Sequence, residues 1–182
     1  IRNLHISDAE SVSSPTCNRI GILSGTNRGT IINCSVTNSS ITSTGNLKNQ
    51  GPISAYSTGT IANCYTNACK IKIGSGECRI GGIAGYAGGN LFNCYAYKNS
   101  YTTHSSSFSG GIVGQSITNI PLTLSNCYAY HSSTYNNFGA IIGWATKATI
   151  NYVYYNNGKI WTLNTNNSSV TGEQYTNRSI NG

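Results

Sequence analysis

The sequence predicts an all-β fold, a parallel β-helix or β-solenoid of about five coils of 29 to 30 residues with an incomplete coil at each end. Three observations carry this expectation: a composition stripped of helix-forming residues, a five-residue glycine motif recurring at a near-constant period, and a second motif holding the same phase.

Only 8% of the 182 residues are charged, where an ordinary domain carries about a quarter. Lys and Arg number 11, Asp and Glu 4, Met is absent, and Gly reaches 21. Helices draw on Glu, Lys, Ala, Leu and Arg, so a helix bundle is excluded. The 38% apolar content is rich in Ile, Tyr and Val, which can build a core and so argue against a disordered tail. No apolar run is long enough for a membrane-spanning helix.

The glycine motif reads Gly-Gly-Ile-Ala-Gly at 81–85, Gly-Gly-Ile-Val-Gly at 110–114 and Gly-Ala-Ile-Ile-Gly at 139–143, with fainter copies at 21–25 and 51–55. The steps are 30, 30, 29 and 29 residues. The second motif, Ile-x-Asn-Cys-Tyr in its clearest form, places Asn33, Asn63, Asn93 and Asn126 ahead of Cys34, Cys64, Cys94 and Cys127. The fourth copy falls four residues late, which predicts an insertion around 118–121. In the fifth, one extra residue puts Val153 in the Cys column and Tyr154 in the Tyr column. Short strands of Ile, Val, Tyr and Thr punctuated by Gly and Asn follow from β-propensity and turn chemistry. Stacking them buries each apolar column against its equivalent one coil away.

Three segments follow along the chain. Residues 1–20 read as an N-terminal half-coil and loop, with Asn3 one period before Asn33 and Leu4 in the Cys column. Residues 21–167 hold the five repeats. Residues 168–182 read as a degenerate C-terminal half-coil or cap, with Val170 and Gly172 in a faded copy of the glycine strand. Ile1, Asn3, Leu4, Val170 and Gly172 are therefore the expected assembly ends, because unfinished coils expose strand edges. The chain begins at Ile1 rather than Met, which reads as a processed or partial form.

The pair of motifs, Gly-Gly-Ile-x-Gly followed by Ile-x-Asn-Cys-Tyr, resembles the GLUG motif over most of residues 21–155. The departures are Pro52 in place of the second Gly, the insertion in the fourth unit and the missing Cys in the fifth. The resemblance implies an extracellular β-solenoid segment of adhesin-like or fibrous surface proteins, in which the repeats themselves are not catalytic.

The columns supply the candidate sites. Asn3, Asn33, Asn63, Asn93 and Asn126 read as a structural amide ladder that caps a corner. Cys34, Cys64, Cys94 and Cys127 come within disulfide reach of one another, with Cys34–Cys64 and Cys94–Cys127 as one pairing and buried free thiols as the alternative. Cys69 and Cys78 flank a glycine-turned stretch that reads as a β-hairpin closed by a disulfide, and Cys17 is left over. Tyr65, Tyr95 and Tyr128, with Tyr97, Tyr130 and Tyr155 further on, form ladders that either pack or offer faces for sugar stacking. Thr30, Thr60, Thr123 and Thr149 form a column broken by Asn90, too irregular for ice binding. Among the sequons, Asn33 is disfavoured as an interior ladder residue, while Asn38, Asn166, Asn167 and Asn177 are glycosylation candidates.

Enzymatic function is not expected. The carboxylates are Asp8, Glu10, Glu77 and Glu173, only the first two close in sequence, whereas glycoside hydrolysis wants a convergent pair. His5, His104 and His131 fall at different repeat phases, and no Gly-x-Ser-x-Gly elbow, HExxH or phosphate loop occurs. The absence of Cys-x-x-Cys argues against a metal site, and no cofactor is expected. Seven Cys in an Asn-, Ser- and Thr-rich chain point to an extracellular or cell-surface setting. The net charge of +7 is spread out except at Lys70, Lys72 and Arg79, too sparse for nucleic acid but compatible with anionic polysaccharide. The leading expectation is a non-catalytic structural protein that associates head to tail into a fibre. The alternative is an adhesin-type module that recognises glycans or a cell surface.

Overall fold

A computed structural model of the chain describes residues 1–13, 16–44, 48–73, 76–103, 107–131 and 138–155, together with the strands Lys159–Thr162, Ser169–Thr171 and Gln174–Thr176. Every named element is a β-strand and every pairing between them is parallel, so the chain is the β-solenoid its periodicity predicts.

The strands stack into five ribbons. The Thr ribbon holds Thr30–Ile32, Thr60–Ala62, Gly89–Phe92, Leu122–Ser125, Lys147–Asn151 and Ser169–Thr171. The Tyr ribbon runs from His5–Ser7 through Ser35–Thr37, Tyr65–Asn67, Tyr95–Thr102, Tyr128–His131 and Val153–Tyr155 to Gln174–Thr176. A shorter ribbon holds Glu10–Val12, Ser40–Ser43 and Lys70–Ile73, and the eight-residue strand Tyr95–Thr102 spans both. A lead ribbon holds Arg19–Ile20, Lys48–Gln50, Cys78–Gly81 and Phe108–Gly110. The Gly ribbon holds Ser24–Asn27, Ser54–Ser57, Ala84–Ala87, Val113–Ser116 and Lys159–Thr162. Strand Phe138–Trp144 joins the lead and Gly ribbons.

Each coil encloses two apolar lobes. Ile31, Ile61, Leu91, Leu124 and Ile150 stack in register in the large lobe, with the four column cysteines and Ile53, Ile83, Ile112 and Ile141. The small lobe is filled by Ile20, Ile41, Ile71, Ile73, Cys78, Ile80, Tyr101 and Phe138. A fully buried Ile or Leu contributes roughly 1.5–3 kcal/mol, so repeating one apolar position per coil accumulates stability along the axis.

The glycine motif marks where the lead and Gly ribbons meet backbone to backbone. A Cβ on Gly85, Gly114 or Gly143 would lie 2.4 Å from the backbone nitrogen of Gln50, Ile80 or Ser109 respectively. Only a residue without a side chain fits that approach.

The insertion lies where the offset between the two motifs predicts it. Ser116 pairs with Ala87, yet the next strand pairs Leu122 with Gly89, which leaves four extra residues in the later coil. They fold back through an Ile120 to Ile117 backbone bond of 3.4 Å, and the Ile120 side chain covers Gly88. The fifth copy also keeps its expected alignment. Tyr154 pairs with Tyr128, so Val153 follows Cys127 in the buried column, and Tyr152 takes the Asn position at φ 51.

Two expectations are corrected. Residues 70–81 are not a hairpin: Lys70–Ile73 pairs with Ser40–Ser43, while Cys78–Gly81 pairs with Lys48–Gln50. Nor is Ser169–Thr171 a copy of the glycine strand. It continues the Thr ribbon beside Lys147–Asn151, so Val170 aligns with Ala148, and the glycine strand is continued by Lys159–Thr162. Only residues 156–158 separate Tyr155 from that strand, so the last coil has no room for the short ribbon and shrinks to a 20- to 22-residue step, read from Gly139 to Lys159 and Lys147 to Ser169. Gly172 lies outside the described residues.

Candidate functional site

Two left-handed corners per coil position the outward side chains. Asn3, Asn33, Asn63, Asn93 and Asn126 have φ between 50 and 54°, and Asp8, Asn38, Ala68 and Lys98 hold the second corner at 49 to 55°. Asn suits this conformation better than most residues. The amides also form the expected ladder: Nδ2 of Asn33, Asn63 and Asn93 donates to Oδ1 of Asn3, Asn33 and Asn63 at 3.2, 3.1 and 3.0 Å. The ladder faces solvent, which corrects the interior placement of Asn33. Its amide is nonetheless engaged on both sides. Asn38 is exposed at the second corner, whereas Asn166, Asn167 and Asn177 fall outside the described residues.

Immediately after the first corner the chain turns inward, and the column cysteines satisfy backbone there. The thiols of Cys34, Cys64, Cys94 and Cys127 donate to the carbonyls of Ile32, Ala62, Phe92 and Ser125 at 3.2, 3.1, 3.3 and 3.4 Å. The Cys34 N–H in turn donates to Cys64 Sγ at 3.4 Å. Burial pushes the Cys64 thiol up to about 11. A hydrogen bond shared with Cys127, together with burial, raises the Cys94 thiol well above its ordinary value. All seven cysteines are free thiols. The expected Cys69–Cys78 bridge is overturned with its hairpin: Cys69 lies in the large lobe and its thiol donates to Val36 O at 3.4 Å, while Cys78 lies in the small lobe. Cys17 is half-exposed, its thiol donating to Arg19 O at 3.4 Å.

Tyr65, Tyr95, Tyr128 and Tyr154 are in register on the outer face of the Tyr ribbon, beside Tyr97 and Tyr130. Tyr65 and Tyr95 stack at 4.7 Å with planes 3° apart, and Tyr97 and Tyr130 approach to 5.1 Å at 41°. Ring faces therefore cover one another, and sugar stacking across the Tyr65–Tyr95 pair has no face between them to use. Tyr155 is corrected out of this ladder: it aligns with Ala129 and points into the core.

Behind this face lies a buried polar relay that the sequence did not announce. The Cys69 N–H donates to Asn99 Oδ1 at 2.9 Å, Asn99 Nδ2 to Thr66 Oγ1 at 2.7 Å, and Thr66 Oγ1 to Gly82 O at 2.8 Å. Pairing every buried polar atom is what makes such a chain tolerable in an apolar lobe. One coil on, His131 takes the Asn99 position and is buried between the rings of Tyr101 and Phe138. Burial pulls it down to about 4.

The basic cluster expected at Lys70, Lys72 and Arg79 is divided between ribbons. The lysines are exposed on the short ribbon, while the Arg79 guanidinium lies 4.7 Å from the Tyr86 ring centroid, bonds Gln115 Oε1 and sits 3.9 Å from Glu77. Asp8 and Glu10 are exposed on the first coil. Among the described residues no group of three His, Cys, Asp or Glu side chains converges as a metal site, and no helix is long and apolar enough to cross a membrane.

The outer face of the Thr ribbon carries one feature the sequence did not flag. Thr30, Thr60, Asn90, Thr123 and Thr149 align as one column, and Ile32, Ala62, Phe92, Ser125 and Asn151 as the next. Phe92, 37% exposed, is the sole aromatic side chain in either described column. Beside it opens a groove of about 350 Å³ lined by Asn90, Leu91, Phe92, Asn93, Thr123, Ser125 and Asn126.

No family model, no curated protein and no solved structure matches the chain.

Proposed function

We propose that this chain is a non-catalytic structural protein of the extracellular space or cell surface, a solenoid of the GLUG-repeat kind that builds a fibre by stacking coil on coil. The observation that supports this reading is the face of the first coil. Its strands His5–Ser7, Glu10–Val12, Arg19–Ile20, Ser24–Asn27 and Thr30–Ile32 each pair on one side only. Five open edges surround the end of an apolar core, with Ile1 53% and Leu4 42% exposed where buried residues stand one coil further in. Open parallel edges around an unfinished core accept another coil of the same register, from a second copy of this chain or from further coils of the same array. A low content of like charges favours such stacking, because repeated carboxylates would face one another every ~4.8 Å.

Sedimentation velocity and electron microscopy of the purified chain over a wide concentration range test the proposal. Growth into rods that Leu4→Lys prevents, with the β-sheet spectrum retained, is the expected result. A particle that stays monomeric throughout the range overturns it.

A further inference from the structure

The amide ladder stops at one place. Asn93 Nδ2 donates back to Asn63, but no amide bond joins Asn126 to Asn93. The backbone does not part there: Asn93 N still donates to Ser125 O at 3.0 Å, as Asn63 N does to Phe92 O at 3.1 Å. The break is confined to the side chains, which leaves the Asn93 oxygen and the whole Asn126 amide without a hydrogen-bond partner among the described residues. This is also where the groove of about 350 Å³ opens, and both residues line it.

Phe92 stands at the same level. Its register neighbours are Ala62 and Ser125, both too small to cover a ring, and it makes no aromatic contact among the described residues. That is the reverse of Tyr65 and Tyr95, whose faces are closed on each other. The groove thus brings together an unstacked aromatic ring, two amides with free donors and acceptors, and the hydroxyls of Thr123 and Ser125. No lining side chain carries a charge.

We propose that the Phe92–Asn93–Asn126 groove is a binding subsite for a neutral pyranose unit of a glycan. A pyranose offers an apolar C–H face to an aromatic ring and a rim of hydroxyls that both donate and accept, which matches amides that do the same. A sulfated or carboxylated sugar would meet no cation in the lining, and a purely apolar ligand would use the ring and leave the amides idle. The subsite does not depend on the solenoid forming fibres, since all its residues come from two adjacent coils of one chain.

The test is a panel of immobilised neutral and anionic oligosaccharides probed with the purified chain, followed by titration of the best soluble binder. Expected is binding to neutral glycans that Phe92→Ala or Asn126→Ala weakens about tenfold, that Phe92→Tyr retains, and that Tyr95→Ala leaves unchanged. Far-UV circular dichroism accompanies each variant. If Phe92→Ala loses structure, Phe92→Leu serves in its place, because it keeps apolar bulk without a flat face. Three results overturn the proposal: no neutral glycan binds, binding survives loss of the ring, or binding tracks anionic sugars or Tyr95 instead.

Discussion

Tyr65 and Tyr95 lie face to face one coil apart, their ring centroids separated by 4.7 Å and their planes by 3°. The register Tyr65 to Tyr95 enforces this overlap, since identical side chains on adjacent parallel strands are held at the strand spacing. The pair therefore serves cohesion between coils. Tyr65→Ala is expected to lower stability by about 0.5–1.5 kcal/mol beyond the area it uncovers. Chemical denaturation of Tyr65→Ala, Tyr95→Ala and the double variant checks this: a coupling energy near zero would show that the stack contributes nothing.

Gly85→Ala is expected to destabilise the solenoid by about 1–3 kcal/mol, the usual cost of forcing atoms into a filled space. The added methyl would lie 2.4 Å from Gln50 N and 2.8 Å from Arg79 O, both backbone atoms that cannot swing aside. Gly29→Ala is the control, because nothing lies within 4 Å of its added Cβ. Thermal melts of the two variants should separate clearly, and equal melting temperatures would refute the close-approach account.

Asn63 combines two roles that substitution can separate. Its φ of 50° favours Gly over Ala, and its amide bonds Asn33 and Asn93. Asn63→Ala should cost about 1–2 kcal/mol in left-handed strain besides the lost amide bonds. Asn63→Gly should recover most of the strain and none of the ladder. A Gly variant no more stable than the Ala variant would assign the whole effect to the amides.

Thiol reactivity provides a fourth prediction. Cys17 is half-exposed, whereas Cys34, Cys64, Cys69, Cys78, Cys94 and Cys127 are buried. Burial keeps Cys64 protonated near neutral pH by raising it to about 11, and it raises Cys69 and Cys78 as well. Because the thiolate is the reactive form, a maleimide or alkylating reagent at pH 7.5 should label Cys17 first and the others only after unfolding. Mass-spectrometric mapping of the reduced, folded chain reads this directly, and early labelling of Cys94 or Cys127 would contradict the buried column.

The repeat is legible in the sequence because it rests on columns: Ile61, Asn63, Cys64 and Tyr65 recur at the register distance, and a solenoid is the architecture that turns period into contact. Even the four-residue insertion before Pro121 can be placed, because it displaces one column against the other. What escapes are features that depend on three-dimensional closeness. Cys69 and Cys78 look like the two ends of a hairpin in sequence, but each strand finds its partner a coil away, and local spacing carries no information about that choice. Ser169–Thr171 is misplaced by periodicity because adding one period assumes a full coil, while the last step is shortened by losing the short ribbon. The groove beside Phe92 is invisible since it arises from a missing bond between two residues that the motif treats as equivalent.

His131 makes stability depend on pH in a calculable direction. It is 3% exposed, packed against the rings of Tyr101 and Phe138, and held down at about 4 against an ordinary 6.5. Between those values the unfolded chain takes up a proton that the folded chain refuses, so acid favours unfolding there. The neutral imidazole costs nothing above about pH 6.5; stability falls as pH drops below that value and levels off for this group near pH 4. Every pH step of one between the two values corresponds to about 1.36 kcal/mol, so the loss is on the order of 3 kcal/mol across the window. His131→Phe keeps an aromatic ring between Tyr101 and Phe138 but cannot be protonated. Urea midpoints at pH 7.5 and pH 4.5 should therefore differ markedly for the native sequence and much less for His131→Phe. An identical pH dependence in both would place the acid sensitivity elsewhere.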